Sequence, residues 1–168
     1  MTMKNLRTNI KELYIKQAFE ILNFFKSIII EVHHIGSSTI KNSPFQADLD
    51  ILFIVKSYDD VKSLSDILIA EGYREVSNYS DYFRDEMVIS NKVDGLNINL
   101  IFISNSSFKK EEILSCTECI SSDNSYSMEF KNLKQSYMKK EISALNYQYK
   151  KYRLFQLIKQ EGDRLTIV

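Results

Sequence analysis

Cysteine, proline and glycine are all scarce in this chain of 168 residues, at two, one and four copies respectively. Two cysteines, Cys116 and Cys119, cannot staple a domain of this size, and their scarcity agrees with a reducing compartment. So little glycine and proline excludes a low-complexity chain, and no internal repeat is visible. Net charge is missing too: 22 basic side chains balance 22 acidic ones, so global charge names no partner. Long apolar runs are absent, since "SIIIEV" and "ILFIV" fall far short of the roughly 20 residues a membrane-spanning helix needs. No membrane association is expected. The start, "MTMKNLRTNIKELYIKQ", reaches charged residues before any apolar run, so no secretory leader is expected and a cytoplasmic address follows. What the chain does have is 44% apolar and 26% charged residues, the mixture of an ordinary globular protein, at a length that suits one folded unit.

Leu6, Ile10, Leu13, Ile21 and Phe24 fall near helical spacing, which predicts an amphipathic helix over 3–26. "SIIIEVHHI" is β-branched and short, so 28–35 reads as a strand ending at Gly36. "STIKNSPF" holds the only proline, Pro44, and reads as a turn or very short helix followed by a loop. "DLDILFIVK" is a second strand. "YDDVKSLSDILIAEGY" follows as a helix that Ser57 or Asp59 can cap and Gly72 closes. From Tyr73 to Ile103 the period changes to two: "DYFRDEMVIS" and "GLNINLIFIS" read as strands paired through "SNKVDG". Beyond Phe108 the chain reads as helical to about Gln160, with breaks near "SSDNS" and near Ser143 to Asn146.

Asp48 and Asp50 stand just ahead of the most apolar run of the chain. Side chains at i and i+2 of a strand share a face, with Cα atoms roughly 6.5 Å apart, so the two carboxylates converge. They repel unless a proton, a basic partner or a cation intervenes. Hard oxygen ligands of this kind suit Mg²⁺, commonly held by one or two carboxylates with phosphates and water completing its shell. A solvated strand edge is the competing reading. The Gly36–Ser37–Ser38 turn supplies the complement, because backbone N–H groups and two hydroxyls can hold a phosphate without adding charge.

The spacing of these parts carries a resemblance. A Gly-Ser turn followed at +12 and +14 by Asp-x-Asp on a strand resembles the core signature of the polymerase-beta-like nucleotidyltransferase superfamily. Within it the chain is most similar to the GrpB family. "HHIGSSTI" resembles that family's His-Ile-Gly-Ser-Thr turn and "DILFIV" its next strand. "DYFRDE" resembles its aromatic-plus-basic strand and "LNINLIFIS" its later His-x-His strand. "EFKNLKQSYM" and "YQYKKYRLFQLI" resemble its Tyr-x-x-Leu-Lys and closing Tyr-x-x-x-Lys helices. The resemblance implies an α/β (α+β) fold with a mixed, mostly antiparallel sheet over 1–105, flanked by helices, and a helical segment over 106–168 packed on it as one compact unit. It also implies Mg²⁺-dependent transfer of a nucleoside monophosphate from an NTP to a hydroxyl or phosphate acceptor. Asp48 and Asp50 would be catalytic and metal-binding; Gly36, Ser37 and Ser38 would hold phosphates; His34 matches a family position on the nucleotide side.

Three departures from the family pattern matter. Asp48 stands where GrpB members usually have an apolar residue, which makes the site resemble that of generic nucleotidyltransferases more closely. The family's Pro-Gly and Lys-Pro loop elements are absent from "KNSPFQA". Where the superfamily places a third aspartate, this chain offers Asn97 and Asn99; an asparagine at position 99 can ligate through its carbonyl but cannot take a proton. A nucleotide-binding module without transfer is therefore the alternative from another class.

Arg84 in "YFRD" and Lys134 are candidates to clamp a triphosphate, against a reading as surface ion pairs, for Arg84 with Asp81, Asp85 or Glu86. Between Lys131 and Arg153 seven basic side chains and one acidic, Glu141, are interleaved with tyrosines. That mixture can track a polyanion, although two helices with inward-packed aromatics are the favoured reading and a nucleic-acid adaptor the less favoured one. "CTEC" lacks the second ligand pair of a structural Zn²⁺ site, so Cys116 and Cys119 read as small helix side chains. Base preference, acceptor and oligomeric state are not encoded in any of these motifs.

Overall fold

The computed structural model describes residues 3–41, 43, 47–77, 83, 86–122 and 125–165. Its centre is set by the two most apolar segments, Leu49–Val55 (β2) and Leu96–Ser104 (β5), which pair in parallel with Leu49 beside Ile98 and Val55 beside Ser104. Strands buried on both faces tolerate near-continuous apolar runs, and every residue of β2 is buried. Ile29–Ile35 (β1) adds antiparallel to β2, Met87–Val93 (β4) adds antiparallel to β5, and a two-residue edge strand, Arg74–Glu75 (β3), closes the order β1-β2-β5-β4-β3. The sheet is thus mixed and mostly antiparallel, as the sequence predicts.

Alternation along the central strands divides the core. Leu49, Ile51, Phe53 and Val55 join Leu96, Ile98, Leu100 and Phe102 on one face, beneath Met3–Phe25 (α1) and Tyr58–Ala70 (α2) through Ile21, Val61, Leu64 and Leu68. Phe53 and Phe102, adjacent in register, stack with centroids 5.0 Å apart. Leu52, Ile54, Ile101 and Ile103 face the other way, toward Ile113 on Lys109–Ser121 (α3). That helix also meets Ser125–Met138 (α4) and Ala144–Leu165 (α5) around Cys116, Ile120, Phe130, Leu154 and Ile158. Among the described residues no helix is long and apolar enough to cross a membrane.

Three boundaries differ from the sequence expectation. The β4–β5 hairpin turns on Asp94 and Gly95 alone, both at positive φ (51° and 84°), as a two-residue primed turn requires; Asn91 to Val93, expected in the turn, are strand. Of the segment "DYFRDEMVIS", expected as strand, Met87 onward is strand and Phe83 and Glu86 are not, the Glu86 N–H closing onto the Phe83 carbonyl at 3.1 Å; positions 81, 82, 84 and 85 lie outside the described residues. The last helix break falls at 139–143, before the expected Ser143–Asn146. There Lys140 turns left-handed (φ 61°), with Glu141 bonded back to Ser136 and Lys140 to Tyr137, the bond pair of a Schellman end.

Candidate functional site

Asp50 interrupts the apolar pattern of β2 on the face that looks toward α3, and it is buried there at 8% exposure. Ile35, the last residue of β1, is its register partner on one side and Asn99 of β5 on the other. The chain therefore leaves β1 at Gly36 directly over the carboxylate. A Cβ at Gly36 would stand 2.4 Å from Asp50 Oδ2. The backbone there (φ 77°, ψ −164°) lies in a region open essentially to glycine. Turn and carboxylate, predicted to be parts of one site, are in contact.

The two asparagines hold the two carboxylates in parallel rungs. Asn99 Nδ2 donates to Asp50 Oδ1 at 2.8 Å within the buried layer, and Asn97 Nδ2 donates to Asp48 Oδ1 at 3.2 Å on the exposed rim. Asn99 is 5% exposed. Where a third carboxylate would add charge, this chain supplies an N–H donor that stabilises the charge already present.

Of the turn's serines, Ser38 is engaged: its Oγ lies 2.7 Å from His34 Nε2. His34 pairs with Ile51, so its ring is on the α1 face of the sheet, stacked on Tyr14 with centroids 5.1 Å apart. Burial holds its pKa below the usual histidine range. The structure thus does not bring His34 to the carboxylates; it links to them only through the turn. Ser37 and Ser38 begin the 3₁₀ turn Ser37–Thr39, which Thr39 closes by donating both its N–H and its Oγ1 to the Gly36 carbonyl.

The far wall comes from the C-terminal helices. A cleft of about 1040 Å³ is lined by Gly36 and Asp50 on one side and by Lys151, Tyr149 and Tyr152 of α5 on the other. Tyr147, 5% exposed and one turn before Lys151, stacks on Tyr137 with centroids 4.6 Å apart. Burial, and after it the charge of Asp50, pushes the Tyr147 phenol far above its ordinary value. Lys134 lies over both rings, 5.4 Å from the Tyr147 centroid. Burial lowers the pKa of the half-buried Lys151, opposed by Asp50 and reinforced by Lys134. Asp50, Lys151, Tyr147 and Lys134 therefore form one electrostatic group. The other cleft lysines have their own carboxylates, Lys109 with Glu86 at 3.4 Å and Lys159 with Glu112.

Lys151 and Tyr147 were given no site role from the sequence, although the Tyr-x-x-x-Lys pattern contains both. The signal was present: Tyr147 and Lys151 are four apart, on one helix face, and their spacing is that of the Tyr-x-x-x-Lys helix. Arg84 lies outside the described residues. Cys116 is buried, donates to the Phe155 carbonyl at 3.7 Å, and has its thiol pushed up to about 12, chiefly by burial. Among the described residues no three His, Cys, Asp or Glu side chains cluster as a metal cage.

A mixed sheet with a glycine turn pressed on an Asp-x-Asp strand and helices on both faces defines a mixed α/β protein. The chain belongs to the GrpB family, whose model, described as GrpB protein, matches residues 2–161. In fold it is similar to the conserved protein GrpB from Enterococcus faecalis, at 14% identity and a TM-score of 0.73 over 93% of this chain and 94% of that one. A smaller likeness is to Cid1, described by its RNA terminal uridylyl transferase activity, at 14% identity and a TM-score of 0.49 over 79% of this chain and 38% of that one. A cytoplasmic RNA terminal U-transferase gives 16% and 0.41 over 78% and 44%. No curated protein matches by sequence.

Proposed function

We propose that this protein binds an NTP in the cleft between sheet and C-terminal helices and transfers its nucleoside monophosphate to a hydroxyl or phosphate acceptor. The contact between Gly36 and the buried Asp50 carboxylate carries this reading. A phosphate lying on the glycine turn is thereby adjacent to a hard anionic oxygen. The donor set fits Mg²⁺ that arrives with a polyphosphate. Each aspartate accepts an asparagine N–H at Oδ1, and Mg²⁺ is commonly held by one or two carboxylates and substrate phosphates. Asp48 and Asp50 would hold it, and bound there it would neutralise charge developing on the transferring phosphoryl group. Gly36, Ser37 and Ser38 bind the departing phosphates, and Lys134 and Lys151 offset their charge. Asn99 keeps the Asp50 carboxylate aimed, so that positioning supplies much of the rate.

The test is incubation with each NTP and Mg²⁺ against candidate acceptors, with Asp48→Ala plus Asp50→Ala as the comparison. Transfer that the double variant abolishes supports the reading; transfer that survives it removes the assignment.

One observation favours the second reading, a nucleotide-binding module that transfers nothing. Asn99 donates to Asp50 and cannot accept a proton from an acceptor hydroxyl. Asn99→Asp separates the two: transfer gained by the variant alone identifies a decayed enzyme, whereas transfer by wild type lost in the variant shows that the asparagine belongs to the mechanism.

A further inference from the structure

We propose that His34 is a positioning residue of the glycine turn: its Nε2–H donates to the Ser38 hydroxyl, which leaves the Ser38 hydrogen for a phosphate oxygen bound on the turn. The proposal rests on the nucleotide-site reading above and adds to it a residue from the opposite face of the sheet.

His34 Nε2 and Ser38 Oγ stand 2.7 Å apart, a separation at which one of them donates to the other. The ring is seated for this contact from the far side. It stacks on Tyr14 of α1 with centroids 5.1 Å apart and 22° between the planes, and Tyr14 Oη donates to the Val32 carbonyl at 3.5 Å. The turn is closed from within, where the Thr39 N–H and Oγ1 reach the Gly36 carbonyl at 3.1 and 2.7 Å. Ser38 itself is half-buried, so its hydroxyl can meet a ligand as well as the ring.

The direction of the bond decides what Ser38 can do. Burial lowers the His34 pKa, and a neutral imidazole carries its hydrogen on one nitrogen only. If Ser38 donates, its one hydrogen is spent on the ring and its lone pairs repel a phosphate. If Nε2–H donates, the hydroxyl accepts with a lone pair and keeps its hydrogen for the anion, a charge-assisted bond stronger than one between neutral groups. A phosphate on the turn therefore selects the Nε2–H form. The neighbouring His33 answers to a different partner, Glu31, at 2.8 Å. An ionised carboxylate only accepts, so His33 Nε2 carries a hydrogen whatever binds at the turn.

The experiment titrates the full chain with tripolyphosphate in Mg²⁺ by calorimetry and follows the ring nitrogens of isotope-labelled histidine by NMR. The chain has two histidines, so His33→Gln assigns the signals and His33 serves as the internal control. With tripolyphosphate bound, His34 is expected to show a protonated Nε2, and the His33 signals should not move. His34→Leu and Ser38→Ala should each weaken binding about tenfold, in keeping with one hydrogen bond to a charged group. His34→Leu should cost nothing further in the Ser38→Ala chain, because the two act through one bond. His34→Gln, whose amide keeps a donor, should retain most of the wild-type affinity. Far-ultraviolet circular dichroism checks folding, and the NMR measurement on wild type decides the matter if His34→Leu does not fold. Suppose wild type binds Mg²⁺–tripolyphosphate. The positioning role is then overturned, while the nucleotide site stands, by an unprotonated His34 Nε2 in the bound state, by wild-type affinity in Ser38→Ala, by losses that add in the double variant, or by a His34→Gln as weak as His34→Leu. If wild type does not bind tripolyphosphate with Mg²⁺, the nucleotide site itself falls.

Discussion

At the scale of single residues the site depends on a side chain that is missing. Gly36 is needed twice over, for a backbone conformation that side chains disfavour and for the space that Asp50 Oδ2 occupies. Conformations of that kind cost about 1–3 kcal/mol for other residues, and a methyl group at 2.4 Å must also displace the carboxylate. Gly36→Ala is expected to lower stability by about 1–3 kcal/mol in urea unfolding and to weaken Mg²⁺–tripolyphosphate binding. Unchanged stability and binding would show that the turn and Asp50 are not in contact. The sequence exposed Gly36, Asp48 and Asp50 because their spacing is local and their residue types break the surrounding pattern. It did not expose Lys151, whose role arises only when α5 is laid across the sheet more than a hundred residues from Gly36.

At the scale of elements, strand identity was legible wherever the period was two and the apolar run continuous. The ends were less so, because they are decided by a few backbone bonds. "SNKVDG" contains several turn-forming residues, yet two residues at positive φ suffice for the hairpin, and the strands extend up to them. At the end of α4 a lysine occupies the left-handed position where glycine is usual. Lys140→Gly removes a steric penalty of about 1–2 kcal/mol and adds unfolded-state freedom worth about 0.4–1 kcal/mol. A net gain of up to about 1.6 kcal/mol is expected, read as a raised denaturation midpoint at unchanged slope; a loss would mean that Lys140 contributes through its side chain.

At the scale of the molecule the helices of the C-terminal part are joined to the sheet by both apolar and charged contacts. Glu31 on β1 accepts from Lys110 on α3 and from His33 Nε2 at 2.8 Å. Its pKa is lowered from 4.5, first by the Lys110 bond and then by His33. A carboxylate with a depressed folded value stabilises the fold fully above its unfolded value and loses that contribution as pH falls through the lowered one. Glu31→Gln should therefore reduce stability at neutral pH, by a small amount since the group is partly exposed. The difference from wild type should fade below pH 4.5, and a difference that persists into strong acid would contradict the linkage. Phe130, 1% exposed, packs the cluster shared by α3, α4 and α5. Because α3 also reaches the sheet through Ile113, Phe130→Ala is expected to cost about 3–5 kcal/mol and to shift one cooperative transition. Two separate transitions would show that the helical segment unfolds by itself.

The sequence by itself determined the elements, the sheet's hydrophobic alternation and the spacing of the glycine turn and aspartates, because these are encoded in residue type over distances of a few positions. Only the tertiary structure decided which faces meet: it set Asn99 beside Asp50 through parallel pairing, turned His34 to the opposite face, and brought Lys151 across the cleft. Those outcomes depend on register and helix placement, which are settled by packing between segments far apart in the chain.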